Sequence, residues 1–295
     1  MHLHHQLQSA FSPTFAFIKK IGKKGGFISS DSLRVIAYHD IPHNQKESLI
    51  VQLNWIKTQW NILSPAQFES MILGDEPIIG DNILITFDDG FMSNRIVADE
   101  ILKPMGIKAI FFVVSDFVDI KSHKKARLFV ANNIIPNSNI ENIPKNLVNM
   151  QWKDLEFLIE QGHTIGSHTK KHVRLNSSIS DSDLQEEIIM SAELISSRLG
   201  INIEHFAYTF GDIESFSPVA LKIAKKRYQF VYSGIRGDNS KSLSQFAIRR
   251  DPAAFQLQNN EYQIFNNKLL SSFLGGFADF KYRNSRRIID DWSQR

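Results

Sequence analysis

The sequence predicts an α/β protein built on a parallel, barrel-like sheet. Three observations lead there. From about residue 31, short apolar runs alternate with amphipathic helical stretches, the pattern of consecutive βα units. Seven such runs occur, and none opens into a G-x-G-x-x-G or Walker turn, so an open nucleotide-binding sheet is disfavoured. The chain has 295 residues, 42% of them apolar, which is enough for one large core.

The candidate strands are 34–38, 83–87, 109–114, 164–167, 206–210, 230–232 and 246–248. Helical patterns separate them. The stretch 48–60 places Leu49, Leu53, Ile56 and Trp60 on one face. At 65–73, Ser64 is an N-cap and Pro65 takes the first helical position. Further helices are expected over 94–102, 152–160, 182–199 and 217–227, three of them bounded by Gly106, Gly162 and Gly200. Residues 116–150 have weak periodicity and many asparagines, and read as a long connection with at most a short helix, the kind of excursion that often contacts substrate. The expected organisation is a tail over 1–30, a catalytic-type domain over 31–260, and a helical C-terminal extension over 261–295.

Composition narrows the function. A net charge of +3, from 34 basic and 31 acidic residues, is too small to argue for nucleic acid. The absence of cysteine excludes disulfides, thiolate nucleophiles and Cys-ligated zinc, so a metal site must use histidine and carboxylate. No apolar run reaches the roughly 18 residues of a membrane-spanning helix. The tail does not read as a secretory signal. Its segment 11–24 mixes Phe and Ile with lysines, which leaves weak association with a membrane surface open. The expected location is cytoplasmic, at the inner membrane surface if that association holds.

In a parallel barrel, functional groups gather where strands end. The run 83–87 leads directly into Asp88-Asp89-Gly90. Adjacent carboxylates repel, and a cation beside them removes that cost, while Gly90 allows a tight turn. After 164–167 comes His168-Thr169-Lys170-Lys171-His172. On a helical turn, i and i+4 imidazoles stack on one side and can reach one ion. A His-His-Asp set of this kind fits both non-haem Fe(II) and Zn2+ hydrolase chemistry.

The two motifs, with their surroundings, resemble the polysaccharide deacetylase family, the NodB-homology group of carbohydrate esterase family 4. Thr86-Phe87-Asp88-Asp89-Gly90 is similar to its first signature and His168-x-x-x-His172 to its second. The segments Ala37-Tyr38-His39-Asp40-Ile41, Trp152-Lys153-Asp154-Leu155, Gly162 to His168 and Phe206-Ala207-Tyr208-Thr209-Phe210-Gly211 are similar to further parts of that family. The resemblance covers about residues 33–251. It implies a distorted (β/α)7 barrel, Asp88 as catalytic base, and Asp89, His168 and His172 as ligands of one divalent metal, Zn2+ first among the choices. It also implies that the Phe210 backbone N–H stabilises the tetrahedral oxyanion.

Three departures matter. Ala207 stands where many relatives have an arginine that orients the base, so Arg249 or Arg250 is needed as a substitute. Thr209 replaces a proline, which predicts a looser loop. No histidine follows His205, so the family's late general acid is missing and His39 is the replacement candidate. Tyr208, Arg250 and Phe91 are the expected substrate contacts, with Phe91 and Phe210 able to stack on a sugar. His163 and His205 are expected at the far end of the barrel, and His2, His4 and His5 in a solvated tail. The implied activity is removal of an N-acetyl group from an amino sugar in a glycan or a lipid- or nucleotide-linked precursor of surface polysaccharide. A deformylase or other small-amide hydrolase, and a catalytically silent glycan-binding relative, are the alternatives.

Overall fold

The computed structural model describes residues 31–241, 244–253, 255–258, 262–277 and 279–295. The tail over 1–30, with its three histidines and the segment 11–24, lies outside them. Eight strands form one curled parallel sheet: β1 (Ser32–Tyr38), β2 (Asn61–Leu63), β3 (Asp81–Phe87), β4 (Ile110–Val113), β5 (Thr164–Ser167), β6 (His205–Ala207), β7 (Phe230–Tyr232) and β8 (Asp251–Pro252). Their order is β7-β6-β5-β4-β3-β1-β8, with β2 paired beside the first half of β3. This is the distorted α/β barrel that the strand pattern and the family resemblance imply.

Period-2 alternation explains the two-sided core. Leu33 and Val35 of β1, Leu84 of β3, Ile110 and Phe112 of β4, and Phe230 and Tyr232 of β7 form one buried cluster on the concave side. The helix Pro65–Leu73 closes the bottom of that cluster with Phe68 and Ile72. Ser64 caps it through a capping box, and Pro65 starts it as the sequence predicts. The other face of the strands, with Ile36, Ile85 and Phe111, packs on the surrounding helices. Continuing the inward parity past Leu84 and Thr86 brings Asp88 to the mouth of the barrel.

Several expectations need correction. The run 246–248 is not a strand: only Ile248 bridges Tyr232, and Asp251–Pro252 pairs with β1 instead. Pro252 has no N–H, which keeps that ladder short. The run 206–210 stops at Ala207, because Phe210 takes a left-handed φ of 61° and turns the chain inward. β2 carries too short an apolar run to be read from sequence. Residues 115–150 hold more helix than expected, over Ser115–Asp119 and His123–Phe129, the latter continuing through a wider turn at Val130–Ile134. Phe117, Val130, Ala131 and Ile143 give this excursion a small core of its own with Phe91. Downstream, β9 (Phe255–Gln258) pairs antiparallel with β10 (Tyr262–Phe265). The helices Asn267–Leu274 and Arg283–Gln294 then send Leu269, Leu270, Phe273, Leu274 and Ile289 into the main core.

Candidate active site

Strand ends deliver the side chains. Asp88 and Asp89 follow β3, His39 follows β1, His168 follows β5, Tyr208 to Phe210 follow β6, and Arg250 immediately precedes β8. All but Thr209 line one cavity of about 710 Å³ at the C-terminal face of the sheet. The backbone there is bent hard. Among the described residues, five non-glycines have positive φ, and four belong to the site: Asp89 (76°), Thr169 (66°), His172 (60°) and Phe210 (61°). Such conformations cost about 1 kcal/mol or more each and cluster where function requires a side chain to be aimed. The His168–His172 segment is therefore not the helical turn expected from its spacing. It is a loop, held by the Thr169 hydroxyl accepting from the His172 N–H at 2.9 Å and the Thr169 carbonyl accepting from Ser115 N–H and Ser191 Oγ. Gly211 and Gly234 meet backbone to backbone beside it, since a Cβ on Gly211 would stand 2.6 Å from Gly234 Cα.

Asp89, His168 and His172 converge, with one ligand atom from each within 4.8 Å of the others. Asp89 Oδ1 lies 3.6 Å from His168 Nε2 and 3.4 Å from His172 Nε2. Each imidazole is oriented from behind by a backbone carbonyl. His168 Nδ1 bonds Ala207 O at 2.8 Å, and His172 Nδ1 bonds Asn133 O at 2.9 Å. A carbonyl can only accept, so the protons sit on Nδ1 and both Nε2 lone pairs face Asp89. Burial lowers the pKa of His168 to about 3 and also lowers that of His172, keeping both neutral. Asp89 Oδ1 is buried and has no hydrogen-bond donor. Burial, reinforced by Asp88 alongside, pushes Asp89 up to about 7 despite the opposing charge of His39 and Arg250. Two imidazole lone pairs aimed at an orphaned carboxylate oxygen suit a divalent cation better than any protein contact.

Asp88 is the opposite case. Burial alone would raise its pKa, but Arg250, His168 and His39 outweigh it and hold the carboxyl down to about 2. Arg250 Nη1 donates to Asp88 Oδ1 at 2.7 Å and its Nε to Ser233 O at 3.0 Å. The guanidinium is thus bonded to Asp88 rather than projecting into the open part of the cavity. Arg249 is turned away, onto Asp290 and Asp238. His39 Nε2 stands 3.9 Å from Asp88 Oδ2, with the His39 side chain 58% exposed at the mouth.

The remaining candidates divide. Phe210 rests on His172, with ring centroids 4.7 Å apart, and Arg174 covers its ring at 4.3 Å. Its N–H donates to no acceptor among the described residues. Thr209 does not loosen this loop: its buried hydroxyl donates to Val173 O, next to His172. Tyr208 is buried, stacked on Phe216, with an unpartnered hydroxyl. Phe91 is buried edge-on against Phe117, so it contributes packing at the cavity floor more than a free stacking face. His163 and His205 lie at the other end of the barrel, bonded to Ala109 N–H and to Tyr232 with Glu69. Sequence reasoning missed the carbonyl of Asn133, which carries no side-chain signal. It also missed Asp40, a half-buried cavity residue that accepts from Ser93 Oγ at 2.6 Å.

The comparisons agree with this geometry. The polysaccharide deacetylase family model matches residues 77–227. YxkH of Bacillus subtilis (strain 168), whose name places it among the polysaccharide deacetylases, is 24% identical over 225 residues, spanning 74% of this chain and 70% of its own. IcaB from Ammonifex degensii superposes with a TM-score of 0.62 at 18% identity, covering 83% of this chain and 97% of that one. The Streptococcus pyogenes deacetylase PplD, solved in complex with acetate, gives 0.60 at 18%, covering 76% and 93%. Among the described residues, no helix is long and apolar enough to cross a membrane. With the family model spanning half of the sequence and both signature motifs meeting in one cavity, the chain belongs to the polysaccharide deacetylase family.

Proposed function

We propose that this protein hydrolyses the N-acyl bond of an amino sugar in a glycan or glycan precursor, acetyl being the acyl group that the family and its relatives' names point to. The observation that carries the reading is the pairing of Asp89, His168 and His172, with their donor atoms turned to one point, and a second carboxylate, Asp88, held ionised beside them by Arg250. Asp89, His168 and His172 would hold one divalent cation, Zn2+ on ligand type. When bound, such an ion lowers the pKa of water and polarises a carbonyl. Asp88 accepts the proton of the attacking water, which its low pKa in the resting state keeps it ready to do. The unclaimed Phe210 N–H receives the oxyanion of the tetrahedral intermediate. Collapse needs a proton on the departing nitrogen, and His39, exposed at the mouth beside Asp88, donates it. Amide and water thus become amine and carboxylic acid. Arg250 acts as a positioning residue, while Tyr208 and Phe91 shape the walls against which the substrate rests.

The test is acyl release from N-acetylated and N-formylated amino sugars, with and without chelator. Chelator-sensitive acetate is the expected product. Formate alone would identify a deformylase, and metal binding without release from any N-acyl sugar would overturn the hydrolase reading in favour of a silent glycan binder.

A further inference from the structure

The cavity has two unlike sides. One carries the acid, base and ligand groups. The other is built by residues 134–147, which present five apolar side chains, from Ile134 to Leu147, with Ser138 and Asn142 between them. This aliphatic wall begins one residue from the reacting centre, because Ile134 follows Asn133, whose carbonyl orients His172. It does not resemble a surface made for further sugars. A sugar ring carries several hydroxyls, and each one pressed against branched aliphatic carbon loses hydrogen bonds to water. The aromatic rings of the cavity are largely engaged by protein: Tyr208 by Phe216, Phe210 by His172 and Arg174, Phe265 by Tyr38. Arg236 and Asp251, two of its charged groups, bond each other at 3.1 Å. About 710 Å³ is more than one monosaccharide fills, and this wall borders part of the remaining space. Ile135 remains 52% exposed, which leaves part of the wall open to a ligand.

Building on the N-acyl hydrolase reading, we infer that the substrate is an amphiphile: an N-acylated amino sugar bearing a hydrocarbon chain that lies along residues 134–147. The chain is attached either through the anomeric oxygen or as the acyl group itself, and both attachments present the same chemistry to the wall.

Binding to the full-length Asp88→Asn protein tests this without turnover. The probes, all below their micellar concentrations, are the methyl and octyl glycosides of N-acetylglucosamine and the methyl glycoside of N-octanoylglucosamine. Each methylene buried is worth about fourfold in affinity, so at least one octyl-bearing probe should bind about 10-fold or more tighter than the methyl N-acetyl compound. Preference for the octyl glycoside assigns the chain to the anomeric position, and preference for the N-octanoyl compound assigns it to the acyl group. Ile135→Glu, at an exposed position that leaves folding intact, should bring the ratio to near unity. Equal binding of all three probes, or a preference that survives Ile135→Glu, overturns the inference. Release of the acyl group by the unsubstituted protein, as acetate from the N-acetyl compounds or octanoate from the N-octanoyl glycoside, is scored separately. Release without chain preference leaves the hydrolase and removes the amphiphile, and tight octyl binding without release does the reverse.

Discussion

Asp88 and Asp89 are adjacent in sequence and buried to the same degree, yet their ionisation is driven in opposite directions. Arg250 at 2.7 Å makes the difference, since it faces Asp88 and leaves Asp89 Oδ1 without a donor. Asp89→Asn is therefore expected to lose bound metal and activity together. Asp88→Asn should retain metal, measured by elemental analysis, while turnover falls about 10²-fold or more, the scale of a missing general base. The reverse pattern would exchange the two roles. The raised pKa of Asp89 has a pH consequence. The metal-free folded chain keeps this proton to about 7, whereas an ordinary aspartate loses it near 3.8. The folded state then holds more protons than the unfolded state between those values, so this group subtracts stability as pH rises across that window and adds no further change above it. A cation must displace the proton. Calorimetric zinc titration at about pH 6, in buffers of different ionisation enthalpy, should show release approaching one proton per ion, and little at about pH 8. The same absence of release at both pH values would contradict the assignment of Asp89 as a ligand. His39→Gln should preserve metal and melting temperature and lose about 10²-fold or more in rate. Full activity would point to proton donation by water or substrate.

At the scale of elements, β8 ties the sheet's free edge to the C-terminal helices. Asp251 is fully buried between Arg34 of β1 and Arg236, with contacts of 3.1 Å to each. Asp279, at the start of the turn before the last helix, reaches both arginines as well. Removing one member of such a network leaves uncompensated buried charge, so Asp251→Asn should cost about 3–5 kcal/mol in denaturant unfolding. A loss below about 1 kcal/mol would mean that Asp279 alone satisfies both guanidinium groups. Because Arg250 adjoins Asp251, the same strand edge positions the partner of Asp88, and activity should fall along with stability. The excursion over 115–150 has an equivalent double role. Its own small core holds the wider turn at Val130–Ile134, and that turn sets both the Asn133 carbonyl behind His172 and the aliphatic side of the cavity.

For the molecule as a whole, the proposed ligand set draws on distant parts of the chain. Asp89 follows β3, the two histidines follow β5, and their supports come from Ala207 and Asn133. A bound cation is in effect a cross-link among them that exists only in the folded state. At a free concentration 100 times its Kd, it should add about 2.7 kcal/mol to stability. In a chain of this size that raises the melting temperature by roughly 4–5 °C relative to chelated protein. The Asp89→Asn variant should show no such difference by calorimetry. An equal shift in that variant would place the stabilising ion elsewhere.

The sequence by itself determined the α/β class, the positions of most strands and helices, and the identity of the converging Asp-Asp and His-His groups. Local physics suffices for these. Period-2 apolar runs, the Ser64-Pro65 helix start and carboxylates at a strand end are all encoded within a few residues of where they act. Tertiary structure alone decided what surrounds them. The choice of Arg250 over Arg249 depends on which guanidinium the seam between β7 and β1 turns inward, and the two residues are adjacent in sequence. The failure of 246–248 as a strand depends on what lies beside it, not on its composition. The His168–His172 spacing suggests a helical turn, but left-handed Thr169 and His172, held by Ser115, Ser191 and Asn133, make a loop that still joins the imidazoles. Backbone carbonyls that orient ligands leave no trace in residue identity. They become functional only when the fold brings them within hydrogen-bond reach of the ring behind which they stand.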